Sequence, residues 1–133
     1  MRAVNATGQK VLDILTKELT NKNRSREIGN VPAFMTVHVE RIGKVKLGDL
    51  FMVAHFYTQN GDLMSDPEMI FLKAKTDNKY YPIYYRMNGF PSTDRYSVIF
   101  EDGKIKSYYK KFQKDDAVFA GIWMKNIKEQ QEL

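Results

Sequence analysis

The chain contains no cysteine, which excludes disulfides, thiolate metal sites and cysteine nucleophiles and fits a reducing, cytoplasmic setting. Four prolines and eight glycines in 133 residues are too few for a collagenous or low-complexity chain. No apolar run approaches the roughly 18–20 residues that a membrane-spanning helix needs, so no membrane partner is expected. Met1 to Thr20 carries an amphipathic pattern, not a charged start followed by an apolar core, and no secretory leader is expected. Metalloprotease spacing, a phosphate-cradling glycine loop and a nucleophile elbow are all missing. The serines at 25, 65, 92, 97 and 107 have no triad context. No cofactor is expected.

What is there suits one globular domain over 1–133, with 43% hydrophobic and 28% charged residues. It divides into a helix and loop (1–32), a sheet (33–111) and a closing helix (112–133). The net charge of +5 is uneven. Residues 1–30 carry six bases and three acids, and residues 67–111 nine bases and five acids. The two remaining stretches each carry one excess acid. A basic excess in one part of a chain suits a polyanionic partner.

Residues 3–20 read as a helix, with Val11, Leu12, Leu15 and Leu19 at helical spacing and Val4 and Ile14 near the same side. Asn21 to Pro32 reads as a loop. Strands follow at 33–42, 50–58, 68–75, 79–87, 95–100 and 104–109. The second is apolar on both faces and should be central. Asn60-Gly61 signals a tight turn, and Asp62 to Pro67 reads as an extension of that loop. Pro82 predicts an edge position or a bulge. Phe112, Phe119, Ile122, Trp123 and Ile127 form the apolar stripe of the closing helix, with Asp115 and Asp116 in its first turn. The fold class is α+β: an N-terminal helix, a mostly antiparallel sheet of five or six strands, and a C-terminal helix packed on one sheet face.

The densest chemical signal lies between Val53 and Phe71. It runs Ala54-His55, then Gln59-Asn60-Gly61-Asp62-Leu63-Met64, then Asp66-Pro67-Glu68-Met69. This box resembles an uncharacterised domain family of phages, plasmids and conjugative elements, sometimes associated with antirestriction-type proteins. The resemblance covers about 50–86 and implies carriage by a mobile element, with no catalytic residue to transfer. Read physically, His55, Asp62, Asp66 and Glu68, with His38 on the preceding strand, are candidates for a divalent metal site or acid–base work. The competing reading makes Asn60, Asp62 and Asp66 turn residues, Glu68 a backbone or ion partner, and His55 a core histidine.

Eight tyrosines complete the picture. Alternation places Tyr80, Tyr84 and Arg86 on one side of a strand, and Tyr81, Ile83, Tyr85 and Met87 on the other as core. Tyr80, Tyr84, Arg86, Arg95 and Lys106 then make an exposed aromatic–basic face, which suits stacked bases and bound phosphates. A plain reading of the same tyrosines is strand packing with a wet hydroxyl. The leading expectation is a non-enzymatic nucleic-acid-binding module of a mobile element. The alternatives are a protein-interaction or inhibitor module acting on a nucleic-acid enzyme, and a small metal-dependent enzyme centred on His55, Asp62, Asp66 and Glu68.

Overall fold

Asn5 opens the first helix, its Oδ1 accepting from the Gly8 amide at 2.8 Å. The computed structural model describes residues 1–133. The helix, α1 (Ala6–Thr16), buries Val11, Leu12 and Leu15. It is shorter than its periodicity predicts. Asn5 caps it at the front, and Leu19 reaches the core from beyond its last turn.

Six strands then form an antiparallel meander in chain order: β1 (Ser25–Ile28), β2 (Val37–Val45), β3 (Gly48–Gln59), β4 (Asp62–Ala74), β5 (Tyr80–Met87) and β6 (Thr93–Tyr96). The strand β1 lies in a segment whose charges read as a loop. It is an edge strand, and only Ile28 of its four residues is buried. The Asn60-Gly61 turn has positive φ at both residues (52° and 85°) and joins β3 and β4 directly, pairing Gln59 with Asp62. The expected loop from Asp62 to Pro67 is therefore strand.

A separate two-stranded sheet, β7 (Val98–Glu101) and β8 (Lys104–Tyr108), precedes the second helix, α2 (Lys110–Gln131). The helix starts two residues earlier than its pattern predicts, which moves Asp115 and Asp116 out of the first turn. Phe112 and Ile122 are exposed, while Ala117, Ala120, Trp123, Met124 and Ile127 face inward.

Both helices pack on one face of the large sheet, around a core that includes Leu12, Val37, Val53, Phe71, Tyr80 and Met124. The β7–β8 hairpin covers part of the other face over a smaller cluster, Leu72, Ile83, Tyr84 and Val98. Ser97 holds the hairpin in place: its amide donates to the Ile83 carbonyl, and its carbonyl accepts from the Tyr109 amide, both at 2.9 Å.

One irregularity decides which tyrosines are exposed. In β5, Tyr84 pairs with Ile70 and Pro82 with Phe71, leaving Ile83 as an extra residue. Such a bulge reverses the facing of every residue beyond it. Tyr80 therefore faces the helices and Tyr84 the hairpin. The strand β5 lies between β4 and β6, but β6 pairs only with Tyr84 to Met87, so Pro82 sits next to the bulge on a stretch flanked by β4 alone, and both readings of this proline fit.

Candidate functional site

The two tyrosines expected to lead an exposed aromatic–basic face are buried, Arg95 holds a buried carboxylate, and Arg86, partly exposed, and Lys106, exposed, lie beside surface carboxylates. Tyr80 is fully buried, its hydroxyl donating to Asp13 Oδ1 at 2.8 Å and lying 3.0 Å from Thr16 Oγ1. Burial drives its phenol well above the ordinary tyrosine range. Tyr84 is 7% exposed and donates to Asp94 Oδ1 at 2.7 Å. Arg86 lies 3.8 Å from Asp94, and Lys106 lies 3.5 Å from Glu101. Arg95 donates to the buried Asp116 at 2.8 Å, with its guanidinium 4.5 Å from the Phe112 ring centroid. The expected stacking face of Tyr80 and Tyr84 therefore does not exist, because the Ile83 bulge separates the two rings onto opposite sides of the sheet.

The box residues are also dispersed. Asn60 forms the turn and Asp62 is exposed beside it. Glu68 accepts from Ser65 Oγ at 2.8 Å. His38 lies 3.3 Å from Glu27 and packs on Phe56, on the sheet face opposite His55. No three His, Asp or Glu side chains are placed to share a metal ion, so His38, His55, Asp62, Asp66 and Glu68 do not converge.

His55 and Asp66 do meet, in a groove between the box and α2 that also holds Trp123. The His55 ring stands edge-on to the Trp123 ring at 5.5 Å. Burial lowers the His55 pKa below its usual 6.5, against the pull of Asp66 and with a small push from His38. The unfolded chain then binds more protons than the folded one between the folded pKa and about 6.5. The stability that neutral His55 permits is complete above about pH 6.5 and declines as pH falls through that window. Protonated imidazole quenches indole emission. Fluorescence of Trp123, the one tryptophan, is therefore expected to fall on acidification with a midpoint below 6.5, and lower still in Asp66→Asn. A midpoint at or above 6.5 would contradict the burial argument.

A second groove brings together aromatic and basic side chains, one of which, Tyr81, alternation assigns to the core. Tyr81, expected in the core, is half-buried on the hairpin side and donates to Asp77 Oδ2 at 2.6 Å. That bond, with some burial, pushes its phenol up to about 12. Tyr81 and Tyr108 line a cavity of about 350 Å³ with Leu47, Leu72 and Ile105. Past Tyr108 the cavity continues into a depression of about 280 Å³, lined by Arg2, Lys110, Gln113 and Lys114. The Arg2 backbone is fixed to the buried Gln113 side chain by bonds of 2.7 and 2.8 Å. Arg2, Lys110 and Lys114 make no ion pair, and the one carboxylate present, Asp77, is committed to Tyr81. The run Tyr108-Tyr109-Lys110-Lys111 was the signal in the sequence; the approach of Arg2 and Tyr81 to it was not readable there.

Fold and grooves define an α+β domain built on a six-stranded antiparallel sheet, with two helices on one face and a two-stranded hairpin sheet on the other. Residues 9–133 match the family described as a domain of unknown function (DUF6908), and the chain belongs to that family. No curated protein and no solved structure matches it. No helix is long and apolar enough to cross a membrane.

Proposed function

We propose that this domain is a non-enzymatic binding module that holds single-stranded nucleic acid in the Tyr81–Tyr108 groove. The observation that carries the reading is the junction at Tyr108 of an aromatic cavity with three unpaired cations, Arg2, Lys110 and Lys114. Aromatic rings stack on bases without reading sequence, and free Lys and Arg side chains displace counterions from phosphates. Carriage by a mobile element is supported by the resemblance of the box between His55 and Met69.

Anisotropy with labelled single- and double-stranded DNA and RNA, across a salt series, tests this. Tyr108→Ala is expected to weaken single-strand binding about 5- to 150-fold, the effect of removing one stacking platform. The Lys110→Gln/Lys114→Gln pair is expected to flatten the log–log salt slope by about 1.4, from about 0.7 per phosphate contact. Lys125→Gln, about 16 Å along α2 from Lys114, should change neither strongly. Absence of binding at low salt would remove this reading. It would leave a second, a protein contact through Val118 and Ile122, one turn apart on α2 and 47% and 57% exposed.

A further inference from the structure

The groove at His55 holds two buried polar side chains with nothing to bond, beside the more exposed Asp66, Asn126 and Gln130. His55 is 6% and Trp123 5% exposed, yet neither His55 Nε2 nor Trp123 Nε1 has a hydrogen-bond partner. Asp66, half-buried on the adjacent strand, makes no hydrogen bond or ion pair within the chain. Native folds rarely leave buried groups such as His55 Nε2 and Trp123 Nε1 unsatisfied, because each buried orphan costs free energy. His55, Trp123 and Asp66 line one open space of about 330 Å³, walled by Phe34, Phe119 and Pro67.

The chemistry of these groups selects a ligand. The indole N–H can only donate, so it requires an acceptor. Asp66 can only accept when ionised, so it requires a donor. Neutral His55 serves either way. The Phe119 and Trp123 rings, stacked at 24°, offer flat apolar surface beside these groups. No Lys or Arg lines the space, so an anionic group has no counter-charge there. A simple ammonium ion would satisfy Asp66 but leave the indole N–H unpaired.

We propose that this groove binds an uncharged planar nitrogen heterocycle that presents an acceptor next to an amino or ring N–H donor, the pattern on the edge of a nucleoside base. The site shares no residue with the Tyr81–Tyr108 groove, so the two readings stand or fall separately.

Trp123 emission reports directly on the groove. The full chain is titrated with adenosine, guanosine, cytidine and uridine, with their 5′-monophosphates, and with tetramethylammonium. A saturable change with at least one nucleoside is expected, with weaker binding of its monophosphate. Asp66→Asn should weaken that binding about 10- to 100-fold, the loss of one bond to a charged acceptor. His55→Gln should weaken it too. Should His55→Gln fail to fold, Asp66→Asn carries the test above about pH 7, where His55 is neutral and the Asp66 carboxylate has no hydrogen bond or ion pair within the chain to lose. No saturable change with any nucleoside, unaltered affinity in Asp66→Asn, or saturation by tetramethylammonium alone would each overturn the proposal.

Discussion

Arg95→Ala is expected to cost the fold about 3 kcal/mol at neutral pH. Asp116 is all but buried in α2, and its Oδ1 accepts from Arg95 at 2.8 Å. Its second oxygen has no partner, so the guanidinium is its main compensation. Breaking such a pair from one side strands a buried charge, at about 3–5 kcal/mol. The Arg95 side chain is 30% exposed, which sets the expectation at the low end. Burial already raises the Asp116 pKa above its usual 3.8, and Arg95 restrains that rise. Without Arg95 the carboxyl rises further. The folded variant then keeps a proton that the unfolded chain has released, and its stability falls as pH climbs from about 3.8 through the folded pKa. Urea unfolding should therefore show a larger deficit at about pH 7.5 than at about pH 4.5. Asp116→Asn in the Arg95→Ala background should restore part of the loss. Equal deficits at both pH values would contradict the stranded-charge account. Arg95 is thus a support under α2, although its place among tyrosines and lysines in the sequence suggested a contact residue.

That misassignment shows what local pattern can and cannot carry. The β3–β4 and β7–β8 hairpins were legible because Asn60-Gly61 and Glu101-Asp102-Gly103 are turn chemistry that few other structures use. The α1 core was legible because Val11, Leu12 and Leu15 repeat at helical spacing. The tyrosines were not. Their facing depends on one unpaired residue, Ile83, and a bulge leaves no reliable mark in a run of Tyr, Pro and Ile. His55 is different: it alternates with the core residues Phe51 and Val53, pairs with Val37 and so faces α2, while His38 faces away, and only the pairing of β2 with β3 was hidden. The metal-site expectation treated nearness in sequence as nearness in space, and two sheet faces separate its members. The Tyr81–Tyr108 groove was hidden for a different reason. It joins the start of the chain, β5, β8 and α2, contacts that only tertiary packing creates.

Gly48→Ala is expected to cost about 3 kcal/mol, and to weaken the nucleic-acid binding proposed for the Tyr81–Tyr108 groove beyond that loss of stability. Gly48 begins β3 with φ at 156°, and a Cβ there would lie 2.0 Å from the Lys73 carbonyl oxygen and 2.9 Å from its carbon. Both atoms are backbone of the neighbouring strand, which cannot move without breaking the Gly48–Ala74 register. Strain of about 1–3 kcal/mol from the backbone conformation adds to a similar overpacking cost. Two other glycines separate the causes. Gly43 has ordinary φ and open space, and its alanine variant should be nearly neutral. Gly61 has φ of 85° and open space, so Gly61→Ala should show strain alone, about 1–2 kcal/mol. The functional consequence follows from position. Leu47, the residue before Gly48, lines the Tyr81–Tyr108 cavity, and its carbonyl accepts from the Lys75 amide at 3.0 Å. Pushing β3 from β4 at Gly48 therefore displaces one wall of the groove, whereas the Gly61 turn lies at the far end of the same hairpin. Denaturation and anisotropy on the three variants give the comparison. If Gly48→Ala is no more costly than Gly61→Ala, close approach to Lys73 is not what requires glycine there. If it unfolds early yet binds normally once folded, the Leu47 wall is not part of the binding surface.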